Sequence, residues 1–296
     1  MELPQRVIAV VGGDEREQEI ARLAAATGAT VRTYGFPLSG SPIAGVVPTA
    51  SAAEAMDGAD YALFPIPGIA ADGTLFAPAS PEPILPDAGL LARLAPGATI
   101  ILGRSDERLR KAAAEHDVAL VEYEHDTELM LLRGPAIVEG ALQIAIAETD
   151  VTIHAAEVGV VGHGNIGRLL ARTLVLLGAR VHLFARNPVQ RADALCAGCV
   201  PHPLDELPGQ AAGLSMLFST VPSRVVDRRV LEALPPASLV MDLAAPPGGI
   251  DLDAARGLGH RAVWARGLGR RAPVTVGASQ WSGIARRIAE IEKGKS

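Results

Sequence analysis

Short β-branched apolar runs, each closed by a glycine turn and followed by an amphipathic stretch, recur along the chain and predict strands alternating with helices. The first is Arg6-Val7-Ile8-Ala9-Val10-Val11, read as a buried parallel strand, with Gly12-Gly13-Asp14 as its turn. A helix from about Glu15 to Thr27 follows, with Ile20, Leu23 and Ala24 on one face and Gly28 as its stop. Later strands are predicted at Tyr61–Phe64, Thr99–Leu102 and Val118–Glu122. The Pro/Gly-rich stretch from Pro65 to Pro86 has the length of a functional or mobile loop. From Pro135 to about Thr149 the pattern turns helical, with Ile137, Ala141, Ile144 and Ala145 on one side, and reads as a connector between domains.

The pattern then restarts with Val158-Gly159-Val160-Val161 and the loop Gly162-His163-Gly164-Asn165-Ile166-Gly167. A helix carrying Leu169, Leu170, Thr173, Leu174 and Leu177 runs to Gly178, and a strand at Arg180–Phe184 closes the unit. Met216–Ser219 and Leu239–Leu243 are further strands, and about Ala278 to Ile291 is an amphipathic helix that can return to the first domain. The predicted architecture is α/β, with two doubly wound parallel-sheet domains. Residues 1–135 are read as a flavodoxin-like substrate domain, residues 136–274 as a Rossmann nucleotide-binding domain, and residues 275–296 as the returning helix.

A length of 296 residues fits two domains, each large enough to bury a core. The hydrophobic share is 49%, but Arg, Asp or Glu interrupts the apolar runs, so no membrane span is predicted. Met1 to Val11 lacks a cationic start followed by a long apolar stretch, which makes the cytoplasm the expected location. A net charge of −6 with 3% aromatic residues argues against a nucleic-acid surface. Cys196 and Cys199 form a C-x-x-C near His202, yet nothing nearby completes a four-ligand set, and no metal is expected.

Gly162-x-Gly164-x-x-Gly167 follows a strand and opens a helix, the context in which this glycine spacing signals a dinucleotide. Gly162 permits the turn, Gly164 lets the backbone approach a pyrophosphate, and Gly167 lets the helix pack on its strand. Asn165 and Ile166 complete the loop, whose N–H groups lie at the positive helix end. Where an NAD-selective site ends its second strand with a carboxylate, this chain reads Phe184-Ala185-Arg186-Asn187, and no acid occurs before Asp193. Arg186 suits a 2′-phosphate, so NADP(H) is expected over NAD(H), although a solvated surface arginine fits the same position. Thr220, Val221 and Pro222, after the strand ending at Ser219, can line the nicotinamide ribose or simply end that strand.

Over nearly its whole length the chain resembles the dipicolinate synthase A-subunit family. The likeness runs through Val7-Ile8-Ala9-Val10-Val11-Gly12-Gly13-Asp14-Glu15-Arg16, Val138-Glu139-Gly140 and Thr149-Asp150-Val151-Thr152-Ile153-His154. It continues through Thr220-Val221-Pro222-Ser223, Asp242-Leu243-Ala244 with Pro247-Gly248-Gly249, and Gly267-Leu268 ahead of Ala272-Pro273. The family's Asn and Ser before its Pro-Thr-Val-Glu-Gly run are replaced by Arg133-Gly134-Pro135-Ala136-Ile137, and its Leu-Pro-Gly and Pro-Lys-Thr by Leu268-Gly269-Arg270 and Pro273-Val274-Thr275.

The resemblance implies oxidation of dihydrodipicolinate to dipicolinate with NADP⁺ in spore-forming bacteria, together with a second, flavoprotein-like dipicolinate synthase B-subunit. It also implies a fold like the two-domain formate/glycerate dehydrogenases, with the active site in the cleft between domains. A dicarboxylate substrate calls for cations or N–H donors. Gly13, Asp14 and Arg16 at one strand end, and Arg104 at another, are the candidates, with exposed surface positions as the plain alternative for the arginines. His154 suits a general base at neutral pH, although a hydrogen-bonded structural histidine fits equally. Asp150 can orient that region, and Glu139 can face the cleft or solvate the connector. Another NADP-dependent dehydrogenase and a non-catalytic NADP(H)-binding scaffold are the rival classes. Asp242 to Thr275 contains only His260 as a histidine, against a 2-hydroxyacid enzyme's Arg, Glu and His set. A homo-oligomer is left open.

Overall fold

Each strand is returned to the same edge of its sheet by a helical or looped crossover, and every pairing between named strands is parallel. The computed structural model describes residues 2–66 and 68–295. The elements begin with β1 (Val7–Val11), α1 (Glu15–Ala25), β2 (Thr30–Tyr34), β3 (Val46–Pro48), α2 (Ala52–Met56), β4 (Tyr61–Leu63) and α3 (Ala88–Leu91). They continue with β5 (Thr99–Leu102), α4 (Glu107–Glu115), β6 (Ala119–Glu122) and α5 (Thr127–Glu148). After β7 (Glu157–Val161) and α6 (Asn165–Leu176) come β8 (Arg180–Phe184), α7 (Pro188–Cys196), β9 (Val200–His202), α8 (Leu207–Gln210) and β10 (Met216–Ser219). The chain ends through α9 (Arg228–Ala233), β11 (Leu239–Asp242), α10 (Leu252–Gly257), β12 (Arg261–Trp264) and α11 (Pro273–Lys295).

Two units result, the first Met1–Arg133 with Ala272–Ser296 and the second Gly134–Arg271. The first sheet has the order β3-β2-β1-β4-β5-β6. The second, β12-β11-β10-β7-β8-β9, is the same order when read from β9. Both are therefore doubly wound in the dinucleotide-binding order, which corrects the flavodoxin-like expectation for the first unit. A flavodoxin-like sheet would place its third strand on the other side of the first.

In the first unit the pleat of β1 divides the core in two. Ile8 and Val10 pack with Ile20, Ala21 and Ala24 of α1 and with Trp281, Ile284 and Ile288 of α11. Ala9 and Val11 face Phe64, Leu75 and Ile100 on the other side. The C-terminal helix thus belongs to the first unit. A Cβ on Gly277 would stand 2.6 Å from the Arg16 carbonyl oxygen, so α11 and α1 meet at a glycine. Glu292 accepts hydrogen bonds from Arg6 Nε and Nη2 at 3.2 and 2.7 Å, which secures the far end of α11 to β1.

Helix α5 starts eight residues before the predicted Pro135 and runs through that proline, whose position is exposed. By length and composition it is apolar enough to cross a bilayer, with a mean hydropathy of 1.5 over an 18-residue window, contrary to the expectation from interrupted runs. Burial accounts for part of that apolarity, while Leu131, Leu132 and Ile146 are exposed. Leu129 lies in the first unit's core, and Val138, Ala141 and Ala145 lie in the second's.

Candidate functional site

The glycine loop of the second unit is open where a phosphate would need access. Gly164 is the N-cap of α6 and provides no side-chain cap, so the first N–H groups of the helix have no side-chain acceptor at that position. A Cβ on Gly164 would meet nothing within 4 Å. The other two glycines are enclosed. A Cβ on Gly162 would stand 2.6 Å from Thr220 Oγ1, and one on Gly167 would stand 2.3 Å from the Gly162 carbonyl oxygen. Gly164 and Asn165 are exposed, Ile166 is half-buried, and the residues fit a dinucleotide pyrophosphate laid against the helix start.

Thr220 Oγ1 donates to the Val161 carbonyl at 3.0 Å, which holds Thr220-Val221-Pro222 beside the glycine turn. Behind it, buried Asp242 accepts from the N–H groups of Ala244, Gly249 and Ile250 at 2.9, 2.7 and 3.1 Å. Gly249 must be glycine, because a Cβ there would lie 2.3 Å from Ser219 Oγ. The Asp242-to-Gly249 motif is therefore a brace for the nucleotide edge rather than a ligand contact.

At the end of β8, Arg186 is exposed and lines a cavity of about 440 Å³ with Arg191, Pro203, Leu204, Asp205 and Val225. Arg191 Nη1 donates to the carbonyls of Ala185 and Arg186 at 2.9 and 2.8 Å, fixing a second guanidinium there. Asn187 serves as N-cap of α7, its Oδ1 accepting from Val189 N at 2.9 Å. Asp193 Oδ2 lies 2.8 Å from His163 Nε2 and 3.8 Å from Arg168. The His163 hydrogen bond holds the Asp193 carboxyl below its usual range.

The turn of the first unit is closed by its own side chains. Asp14 caps α1, and its N–H donates to Glu17 Oε2 at 2.7 Å in a reciprocal capping box. The start of α1 is therefore capped from within the chain, unlike the start of α6. Gly13 N donates to the Phe76 carbonyl at 2.6 Å, and a Cβ on Gly13 would collide with Glu17 at 2.2 Å. Gly13 and Asp14 thus have structural positions, and fully buried Asp14 grips Arg16 through Nε and Nη2 at 2.7 and 2.9 Å. Burial works to lower the Arg16 pKa, but the Asp14 hydrogen bond and nearby carboxylates raise it overall. Burial also raises the Glu17 carboxyl to about 7. Arg104 is exposed, 3.6 Å from Glu124.

The three groups considered for proton transfer are dispersed. His154 precedes β7 at the amino edge of the second sheet, packed over Gly178 and exposed. The five residues of β7, about 16 Å, separate it from the glycine loop. Asp150 is at the same edge, bound to Arg261 Nη2 at 2.6 Å. Both therefore lie away from the nucleotide loop as candidate base and orienting group, because ligands of open parallel sheets lie at the carboxyl edge. Glu139 is exposed and ion-paired with Arg271. Gly134, five residues earlier on α5, faces Leu169 and Ile166 of α6. Buried His260 approaches the Leu231 carbonyl with Nε2 at 2.8 Å, a structural contact.

Residue typing overlooked Glu17, Tyr123 and Arg133 in the first unit and His163 and Arg191 in the second. The Asp14-x-x-Glu17 spacing of a capping box was the available signal for Glu17. Tyr123 and Arg133 reach the Arg16 neighbourhood only through folding.

Residues 7–124 match the family model for the N-terminal domain of the dipicolinate synthase A-subunit. Residues 133–245 match the D-isomer specific 2-hydroxyacid dehydrogenase, NAD binding domain. The dipicolinate synthase A-subunit of Bacillus subtilis (strain 168) is 32% identical over 97% of this chain and 98% of its own length. The crystal structure of the dipicolinate synthase A-subunit from Bacillus halodurans is similar with a TM-score of 0.87 at 27% identity, covering 98% of this chain and 99% of that one. The structure of dipicolinate synthase, A chain, from Bacillus subtilis gives 0.85 at 30% identity, with 99% of each chain covered.

Proposed function

Because the chain belongs to the dipicolinate synthase A-subunit family, we propose that it oxidises dihydrodipicolinate to dipicolinate with NADP⁺. Its second unit is a nicotinamide-dinucleotide domain of the dehydrogenase type. The observation that carries the reading is the uncapped start of α6 after β7, with a cavity lined by Arg186 and Arg191 after the neighbouring strand β8. Two guanidinium groups suit a 2′-phosphate, and the first carboxylate after β8, Asp193, is already engaged by His163.

Bound NADP⁺ supplies one hydride acceptor. The N–H groups of Gly164, Asn165 and Ile166 hold its pyrophosphate, and Thr220, Val221 and Pro222 line the nicotinamide side of the loop. Arg16, oriented by Asp14, holds one carboxylate of the substrate. The dihydropyridine gives up one hydride and one proton, and its ring becomes aromatic, so the protein's main task is orientation. With His154 and Asp150 at the amino edge of the second sheet, Glu139 is the group left to take the proton. In the same reading a flavoprotein-like partner completes a cytoplasmic synthase in a spore-forming bacterium.

The test is dihydrodipicolinate-dependent reduction of NADP⁺, followed at the nicotinamide absorbance with the flavoprotein-like partner omitted and then added. Reduction in either arrangement is expected, and its absence in both overturns the reading.

A further inference from the structure

Three arginines gather at the carboxyl edge of the first sheet, and they differ in what they already hold. Arg16 is committed to Asp14 through Nε and Nη2, with Nη2 also 3.5 Å from the Ile66 carbonyl, which leaves Nη1 without a hydrogen bond among the described residues. Arg104 is exposed and faces Glu124. Arg133, at the end of the first unit's main segment, is half-buried, yet no hydrogen bond or ion pair among the described residues reaches its guanidinium. Leu129, one turn before Arg133 on α5, and Ile20, one turn after Arg16 on α1, belong to the same buried core, which brings the two helix segments together. Burial pushes the Arg133 pKa down and the Arg16 charge pushes it further, while Glu124 and Tyr123 act in the opposite direction.

A guanidinium withdrawn from water beside a second cation is unfavourable unless an anion meets both. Glu124 is the nearby carboxylate, but it faces Arg104 and makes no hydrogen bond to Arg133. Glu17, the other acid near Arg16, is raised by burial and directs one oxygen to Asp14 N, while its Oε1 is buried without a partner. Among the described residues, then, no side chain accepts a hydrogen bond from Arg133 or from Nη1 of Arg16, although Glu17 and Glu124 each keep one buried oxygen nearby without a hydrogen bond.

We propose that Arg133, together with Nη1 of Arg16, receives one carboxylate of the substrate and acts as a specificity residue for a dicarboxylate. The inference rests on the substrate reading above. Arg16 is the fixed half of the clamp, because Asp14 locks its plane, and Arg133 is the adjustable half. The fork of Arg133 and the single Nη1 of Arg16 on one carboxylate fix its orientation more sharply than a single cation can.

Pyridine-2,6-dicarboxylate, the product of the proposed reaction, is titrated into the full-length chain by calorimetry, with NADPH titrated in parallel. Arg133→Met and Arg16→Met are each expected to weaken the dicarboxylate by roughly ten- to a hundredfold and to leave NADPH affinity unchanged. Arg133→Lys keeps the charge without the fork and is expected to fall between wild type and Arg133→Met, with matching thermal melts as the folding control. Absence of dicarboxylate binding by the wild-type chain overturns the clamp and the substrate reading together. Wild-type binding that Arg133→Met leaves within about twofold overturns the clamp alone. Weakened NADPH with unaltered dicarboxylate assigns Arg133 to the nucleotide and likewise overturns the clamp.

Discussion

The two glycine turns, one at the head of each sheet, look alike in sequence and finish in opposite states. At Gly12-Gly13-Asp14 the helix start is satisfied internally by Asp14 and Glu17, and the space over Gly13 is filled by Glu17. At Gly162 to Gly167 the helix start has no side-chain cap, and the space over Gly164 is empty. The same strand-turn-helix geometry thus builds a closed joint in one unit and a phosphate cradle in the other. What differs is whether the chain supplies its own anion to the helix end. In the first unit a buried carboxylate pair does so, and the site chemistry passes to the neighbouring arginines.

Exchanging glycines for larger residues is the strongest way to break this comparison. Gly167→Val drives a side chain into the Gly162 carbonyl, which cannot move aside, and is expected to cost about 3–5 kcal/mol in a thermal or urea melt. Gly164→Val, by contrast, is expected to melt like wild type and to lose NADPH binding in calorimetry, because its side chain enters only the space the pyrophosphate needs. Retained affinity in Gly164→Val would make the two turns equivalent.

Gly13→Ala addresses the closed turn. With φ at 106° and Glu17 in the way, it is expected to cost about 2–4 kcal/mol through backbone strain and the lost capping box, with nucleotide affinity unchanged. Arg186→Asp sharpens the open turn, since it is expected to weaken NADPH by about 1.5–3 kcal/mol and to erase or reverse the preference over NADH. Equal affinity of the unaltered chain for both nucleotides would remove Arg186 from the 2′-phosphate.

The smallest effect is a slope. Glu17 has a folded pKa of about 7, above the ordinary carboxyl value of 4.5, so the folded state holds this proton more tightly than the unfolded state. Its contribution therefore favours the fold at low pH and declines as pH rises from about 4.5 to about 7. Glu17→Gln can still accept from Asp14 N and is expected to flatten that part of the stability profile and to hold or raise the melting temperature above pH 7. An unchanged slope would show that Glu17 is charged in its buried position.

Strands Thr99–Leu102, Arg180–Phe184 and Met216–Ser219 have the bounds that their residue pattern predicts. They are buried runs ended by glycine or a polar turn, and little but local pattern is needed to recognise them. The short strands Val46–Pro48 and Val200–His202 have no fully buried residue and carry Pro or His, so their pairing depends on a neighbour already in place. The start of α5 was hidden for a related reason. Pro135 resembles a first helical residue, but its exposed position lets the helix continue through it.

Local order by itself determined the two α/β units, the glycine loop, the arginine at the end of β8 and the family likeness, because each depends on residues within a single strand, turn and helix. Tertiary structure decided which of those residues are available to a ligand. It sent His154 and Asp150 to the amino edge, committed Asp14 to Arg16, and brought Arg133 beside Arg16 from 117 positions away along the chain. Side-chain type specifies what a group can do chemically, whereas its partners and burial come from segments distant in sequence. No local spacing encodes them, because a parallel sheet joins its strand ends only after every crossover has closed.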